Sequence, residues 1–98
     1  MENYIYTNTL NGTGAAIAIT DVGFKPSYVK VINVASGGLC TLEHVNTMAA
    51  ASGFKGITAG TKTFITSNGI TLAANGFTIG ADADVNVSGE ALHVIAFR

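Results

Sequence analysis

Apolar residues recur with period two in short runs along this chain, and the runs are broken by glycine-containing turns. In 15–20, Ala15, Ile17 and Ile19 fall on one side of an extended backbone, with Ala16, Ala18 and Thr20 on the other. In 62–66, Thr63 and Ile65 oppose Lys62, Phe64 and Thr66. The interruptions are Asn11-Gly12, Ser36-Gly37-Gly38, Ser52-Gly53, Ala59-Gly60, Asn68-Gly69, Asn75-Gly76 and Ser88-Gly89. Asn-Gly and Ser-Gly tolerate the positive φ that tight reversals demand. The pattern predicts strands over 4–7, 15–20, 28–34, 39–45, 62–66, 69–72, 77–79, 84–87 and 92–97. Only 46–51, with Asn46 as a cap, an Ala-rich middle and Gly53 as a stop, suits one helical turn, and a loop suits it equally. The expected fold is all-β, an antiparallel β-sandwich or jelly-roll-like domain of about eight short strands, formed as one unit over 1–98.

Two segments depart from simple in–out alternation. In the last strand Leu92, Val94 and Ala96 share a face, yet Ala91, Ile95 and Phe97 make the opposite face apolar as well. A strand apolar on both sides is covered twice, centrally in the fold or by another chain. In 81–87, Ala83, Val85 and Val87 alternate with Asp82, Asp84 and Asn86, which reads as a strand with one solvated polar face. Gly-Phe recurs at 23–24, 53–54 and 76–77, where glycine ends a turn and phenylalanine anchors the next strand in the core.

Composition sharpens this picture. The 98 residues are 48% hydrophobic and 11% charged, against the roughly 25% charged residues usual in soluble domains. Five Lys plus Arg stand against six Asp plus Glu, giving a net charge of −1. Lys25, Lys30, Lys55, Lys62 and Arg98 are scattered, so no phosphate track and no footprint for nucleic acid or an anionic membrane is expected. The opening MENYIYTNTL has neither the basic nor the apolar region of a signal peptide. No window approaches the roughly 18 apolar residues of a membrane helix.

Candidate chemistry is thin. Asp82-Ala83-Asp84-Val85-Asn86 begins like a calcium loop, but Val87 and His93 stand where glycine and glutamate are required. No metal site is expected. Cys40 and His44 are four apart on an expected strand, which separates them by roughly 13 Å on one face. The single cysteine therefore reads as a small buried hydrophobe, and His44 and His93 as hydrogen-bonded strand or interface residues. No nucleophile, P-loop or metalloprotease motif is present, so neither an enzyme nor a cofactor nor a small-molecule substrate is expected. Tyr4, Tyr6 and Tyr28 are the residues from which a glycan-stacking platform could be built, Tyr4 and Tyr6 sharing a strand face.

Two stretches carry a resemblance. Gly23-Phe24-Lys25-Pro26-Ser27-Tyr28-Val29 resembles the opening of small β-modules in tailed-phage virion proteins, with Ser27 where an acid is common. Gly76-Phe77-Thr78-Ile79-Gly80, followed by 85–90 and 92–97, resembles their closing segment. Both are turn-and-core patterns, and together they span roughly half of the chain. The resemblance implies a non-enzymatic capsid decoration (cement) protein, with a complete module running from residue 1 to the last strand. It further implies a homotrimer bound to the major capsid protein on the virion surface, made in the host cytoplasm. The competing expectation is a tail-fibre or receptor-binding module that reads host glycans. By elimination, the candidate subunit or capsid interface residues are Tyr4, Tyr6, His93, Ile95 and Phe97.

Overall fold

The structure, a computed structural model, describes residues 4–35, 40–57 and 60–98. The expected turns at Ser36-Gly37-Gly38 and at Ala59, and the expected strand start at Leu39, lie outside the described residues. The fold is all-β. Eight strands follow one another as β1 (Ile5–Asn11), β2 (Ile17–Ile19), β3 (Tyr28–Asn33), β4 (Cys40–Val45), β5 (Ser52–Gly56), β6 (Lys62–Ala73), β7 (Gly76–Ile79) and β8 (Ala91–Phe97). They form one antiparallel sheet in the order β1-β8-β3-β4-β5-β6-β7-β2.

The sheet curls onto itself to enclose its core. Val29, Val31, Leu42, Leu92, Val94 and Ala96 come from the first half, and Ile19, Ile70, Phe77 and Ile79 from the second. Contact between strands remote in the sheet order demonstrates the curl: the rings of Tyr6 in β1 and Phe77 in β7 meet edge to face, with centroids 6.4 Å apart. The Tyr6 hydroxyl also donates to Asp21, beyond β2.

The curl is made by β6. The two strands expected at 62–66 and 69–72 are one strand of 12 residues, bent where Asn68 takes φ 60°. Its first half pairs with β5 and its second with β7. Asn68-Gly69, a turn signal in the sequence, thus marks a corner within a strand. Gly69 is needed there because a Cβ would stand 2.3 Å from the Ser52 carbonyl oxygen.

Other expectations are corrected. Residues 46–51 form turns, with Ala51 at φ 66°, so the segment is not a turn of helix. Strand β5 was hidden in the sequence because Ser52-Gly53 reads as a turn. Gly53 instead sits in the sheet where a Cβ would stand 2.6 Å from Leu42 Cδ1. The Gly-Phe expectation holds in full for Phe77 of β7; Phe24 is buried but lies in a bend ahead of β3, and Phe54 lies on the outer face of β5 and is 38% exposed.

The largest correction concerns 82–87, which is not a strand. Asp82 Oδ1 accepts the amide protons of Asp84 and Val85, and its carbonyl accepts from Asn86, so the backbone folds into a tight turn. Asp82 and Asn86 are buried rather than solvated, and Val85 reaches the core. Asn86 Oδ1 accepts from the backbone of Thr13 and Gly14, while its Nδ2 donates to the carbonyls of Ala15 and Gly80. From β3, Asn33 donates to Val85 O at 3.1 Å and to Glu90 Oε1 at 2.9 Å.

Candidate functional site

The register of six neighbouring strands determines which side chains share the outer surface. Paired residues in an antiparallel ladder project from the same face. Leu92, Val94 and Ala96 of β8 align with Val29 and Val31 of β3 and with Leu42 and His44 of β4, and all seven are buried. The alternate residues therefore face outward. One outward row runs Ile5, Phe97, Tyr28, Val45 from β1 to β4. The next runs Thr7, Ile95, Lys30, Glu43, Phe54, Phe64 across to β6, and a third begins Thr9, His93, Ile32, Thr41.

This face is unusually apolar for one turned to solvent. Ile5 is 57% exposed, Phe64 52%, and Phe54 and Phe97 38% each. Those four belong to the six large hydrophobic residues exposed among the described residues, the others being Tyr4 and Val34. Lys30 and Glu43 stand opposite each other in the register, so the middle of the face carries no net charge. An antiparallel sheet ordinarily shows water a polar face, and clustered exposed apolar side chains mark interaction surfaces.

The candidate interface residues divide between two sides of the sheet. His93, Ile95 and Phe97 lie on the outer face of β8, with Phe97 stacked against Tyr28 at 5.8 Å. Tyr6 lies on the opposite face, against the core. Tyr4 precedes β1 and is 58% exposed, its ring centroid 5.3 Å from the Arg98 guanidinium carbon. The three tyrosines are thus dispersed: Tyr6 is inside, Tyr28 outside and Tyr4 at the end of an edge strand. They do not assemble a common stacking platform. The sequence reading missed Phe54, Phe64 and Ile5, which join the outer face only through the β5–β6 and β1–β8 registers.

Tyr28 ties the face together electrostatically. Its hydroxyl donates to Glu43 Oε2 at 2.6 Å. Burial, with the Glu43 carboxylate beside it, pushes the phenol up to about 12 from its ordinary 10. A raised phenol pKa favours the protonated folded form. Its contribution is complete below pH 10 and is lost as pH rises towards 12, because the unfolded chain ionises first. Tyr6 and Lys55 are also shifted upward and act in the same direction. The melting temperature should therefore fall between pH 10 and 12, and Tyr28→Phe should make that fall shallower in a pH series of thermal melts. An equally steep fall in the variant would contradict this assignment.

The titratable and nucleophilic groups of the interior are engaged structurally. Cys40 is buried, and burial pushes its thiol up, with Lys55 opposing. His44, 1% exposed, has Nδ1 2.9 Å from the Ser52 carbonyl, which makes Nδ1 the protonated donor. On the outer face, His93 Nδ1 lies 3.3 Å from Thr9 Oγ1. His44 also borders a cleft of about 420 Å³ with Lys25, Ser27, Asn46, Met48 and Thr71 around it.

The letters that resembled a calcium loop surround an internal cation instead. Lys55 Nζ from β5 lies 3.0 Å from Asp82 Oδ1 and also pairs with Asp84. Burial draws the Lys55 ammonium down, but the hydrogen bonds it donates to Asp84 and Asp82 outweigh it, and its pKa is raised. The turn thus meets β5 through this lysine. Among the described residues, no group of three or more His, Cys, Asp and Glu side chains is arranged to hold a metal ion.

Comparison with protein-family models, with curated proteins and with solved structures found no match.

Proposed function

We propose that this chain is a non-enzymatic structural component of a tailed-phage virion, a capsid decoration (cement) protein that binds the shell of the major capsid protein and stabilises it as an oligomer. The observation that carries the reading is the outer face of the sheet, where Ile5, Phe54, Phe64 and Phe97 are exposed around a neutral Lys30–Glu43 centre. Such a face is costly to leave wet and well suited to permanent burial, since lasting interfaces are apolar with few charges at their centre. The sequence resemblance points the same way.

The chemistry of the interior fits a scaffold role. Lys55, Asp82, Asn33 and Asn86 fasten the 82–87 turn to the sheet.

Adding purified protein back to shells that lack it tests the proposal. The protein should co-sediment with the shells and raise the temperature at which they disassemble. Shells that neither bind it nor gain stability would overturn the proposal. Specific binding to isolated host glycans in the same preparation would favour the receptor-binding alternative.

A further inference from the structure

We infer that β1 is a pairing edge, at which a second copy of this chain adds its own β1 in antiparallel register to continue the sheet across a two-fold axis. The two ends of the sheet differ sharply. β2 closes one end with three residues, whereas β1 forms the other with seven. Its sequence IYTNTLN holds no charge and no proline, and its pairing with β8 runs without a bulge. Proteins that keep sheet edges solitary shorten, charge or kink them. β2 is protected by shortness, and β1 by none of these devices.

The ladder shows which backbone groups are open. Arg98 N donates to Tyr4 O and Gly12 N to Glu90 O, so in this register the even-numbered residues of β1 bond to β8. The amides and carbonyls of Ile5, Thr7, Thr9 and Asn11 therefore point away from β8. Among the described residues they have no backbone partner, and only the Thr9 amide is satisfied locally, by Asn8 Oδ1 at 2.8 Å.

A second copy is the occupant this edge fits. An uncharged strand brings no like charges together when it meets itself. Self-pairing at one long edge, with the other edge too short to pair, closes at two copies, whereas two long edges would propagate into a fibre. Pairing also places exposed Ile5 beside the partner's outer face and extends the apolar surface across the axis. Because the new strand lies in the plane of the sheet, the outer face stays free for another occupant. The inference shares with the proposed function only the premise that copies associate, and it replaces a count of three by two or an even multiple.

The test is native mass spectrometry of the full chain, with Thr7→Pro as the variant. The Thr7 amide points to the open edge, so proline there removes a pairing donor without removing a bond to β8. The wild type should be a dimer, and Thr7→Pro should weaken dimerisation by about tenfold or more while retaining the β-sheet circular-dichroism spectrum. Thr7→Lys, a substitution typical of protected edges, should do the same and serves if the proline variant does not fold. A wild-type trimer unaffected by either variant would overturn the edge pairing and leave shell binding standing. A wild-type monomer at all concentrations would also overturn it. Failure of a dimeric protein to bind shells would instead overturn the proposed function alone.

Discussion

Replacing Lys55 by methionine should destabilise the fold by about 3–5 kcal/mol, the usual cost of removing one partner from a buried ion pair. The cause is Asp82. Its carboxylate is nearly buried, with Oδ1 3.0 Å from the Lys55 ammonium. Without the lysine, a charge remains in a poorly solvated position that it cannot leave, because the same carboxylate caps the amides of Asp84 and Val85. A small domain holds roughly 5–15 kcal/mol in total. The variant should therefore melt well below the wild type, by about 4–8 °C for each kcal/mol lost. Adding Asp82→Asn should recover much of the loss, since an amide oxygen can keep both caps and needs no counter-ion. Calorimetry of the three proteins checks this. A Lys55→Met protein as stable as the wild type would show that the pair is merely a surface contact.

Replacing Phe97 by aspartate should have the opposite profile, with a small effect on the fold and a large one on association. Phe97 is 38% exposed and projects from the outer face of β8 beside Tyr28. Removing a partly exposed ring from this face should cost the isolated domain about 1 kcal/mol. If the face is covered by the shell, an introduced carboxylate would be desolvated there. Central aromatic residues of interfaces typically carry about 2–4 kcal/mol, so binding to shells should weaken by about 30- to 1000-fold. Phe64→Asp, at the far side of the same face and 52% exposed, should behave alike. Co-sedimentation across a concentration series, read beside a thermal melt, separates the two effects. Undiminished binding by both variants would remove the outer face from the interaction. Unfolding of Phe97→Asp alone would reassign that ring to the fold.

The contrast between these positions reflects what period-two patterning can convey. The pattern over 28–34 and 92–97 identified β3 and β8 and grouped Leu92, Val94 and Ala96 on one face, because successive side chains of a strand alternate between its faces. The apolar second face of β8 was legible for the same reason, and with it Ile95 and Phe97. Phe54 and Phe64 could not be joined to that face from the sequence. Their neighbours are fixed by the registers of β4 with β5 and β5 with β6, which are non-local. β5 itself was obscured because Gly53, a turn former by propensity, is required in the strand by close contact with Leu42. At 82–87 the alternation was genuine but misleading. Asp82 and Asn86 are polar because they organise a turn internally, and their partners Lys55 and 13–15 come from distant segments. A buried polar residue and a solvated one look identical in a sequence until their partners are placed.

Tyr6 illustrates the same limit. Shared parity with Tyr4 was readable, but the parity of an isolated strand does not say which face is inside. The curl made by the bend in β6 brings Phe77 against Tyr6 and turns that side of β1 inward. The outer face then belongs to Ile5, Thr7 and Thr9, which pair with Phe97, Ile95 and His93.

The central claim is that the neutral apolar outer face exists to be buried on a particle surface in many copies. Quantitative mass spectrometry of purified particles, with this chain counted against the major capsid protein, tests it most directly. The account predicts hundreds of copies per particle, in simple proportion to the shell subunits. A count of only a few, or absence from the particles, would contradict it.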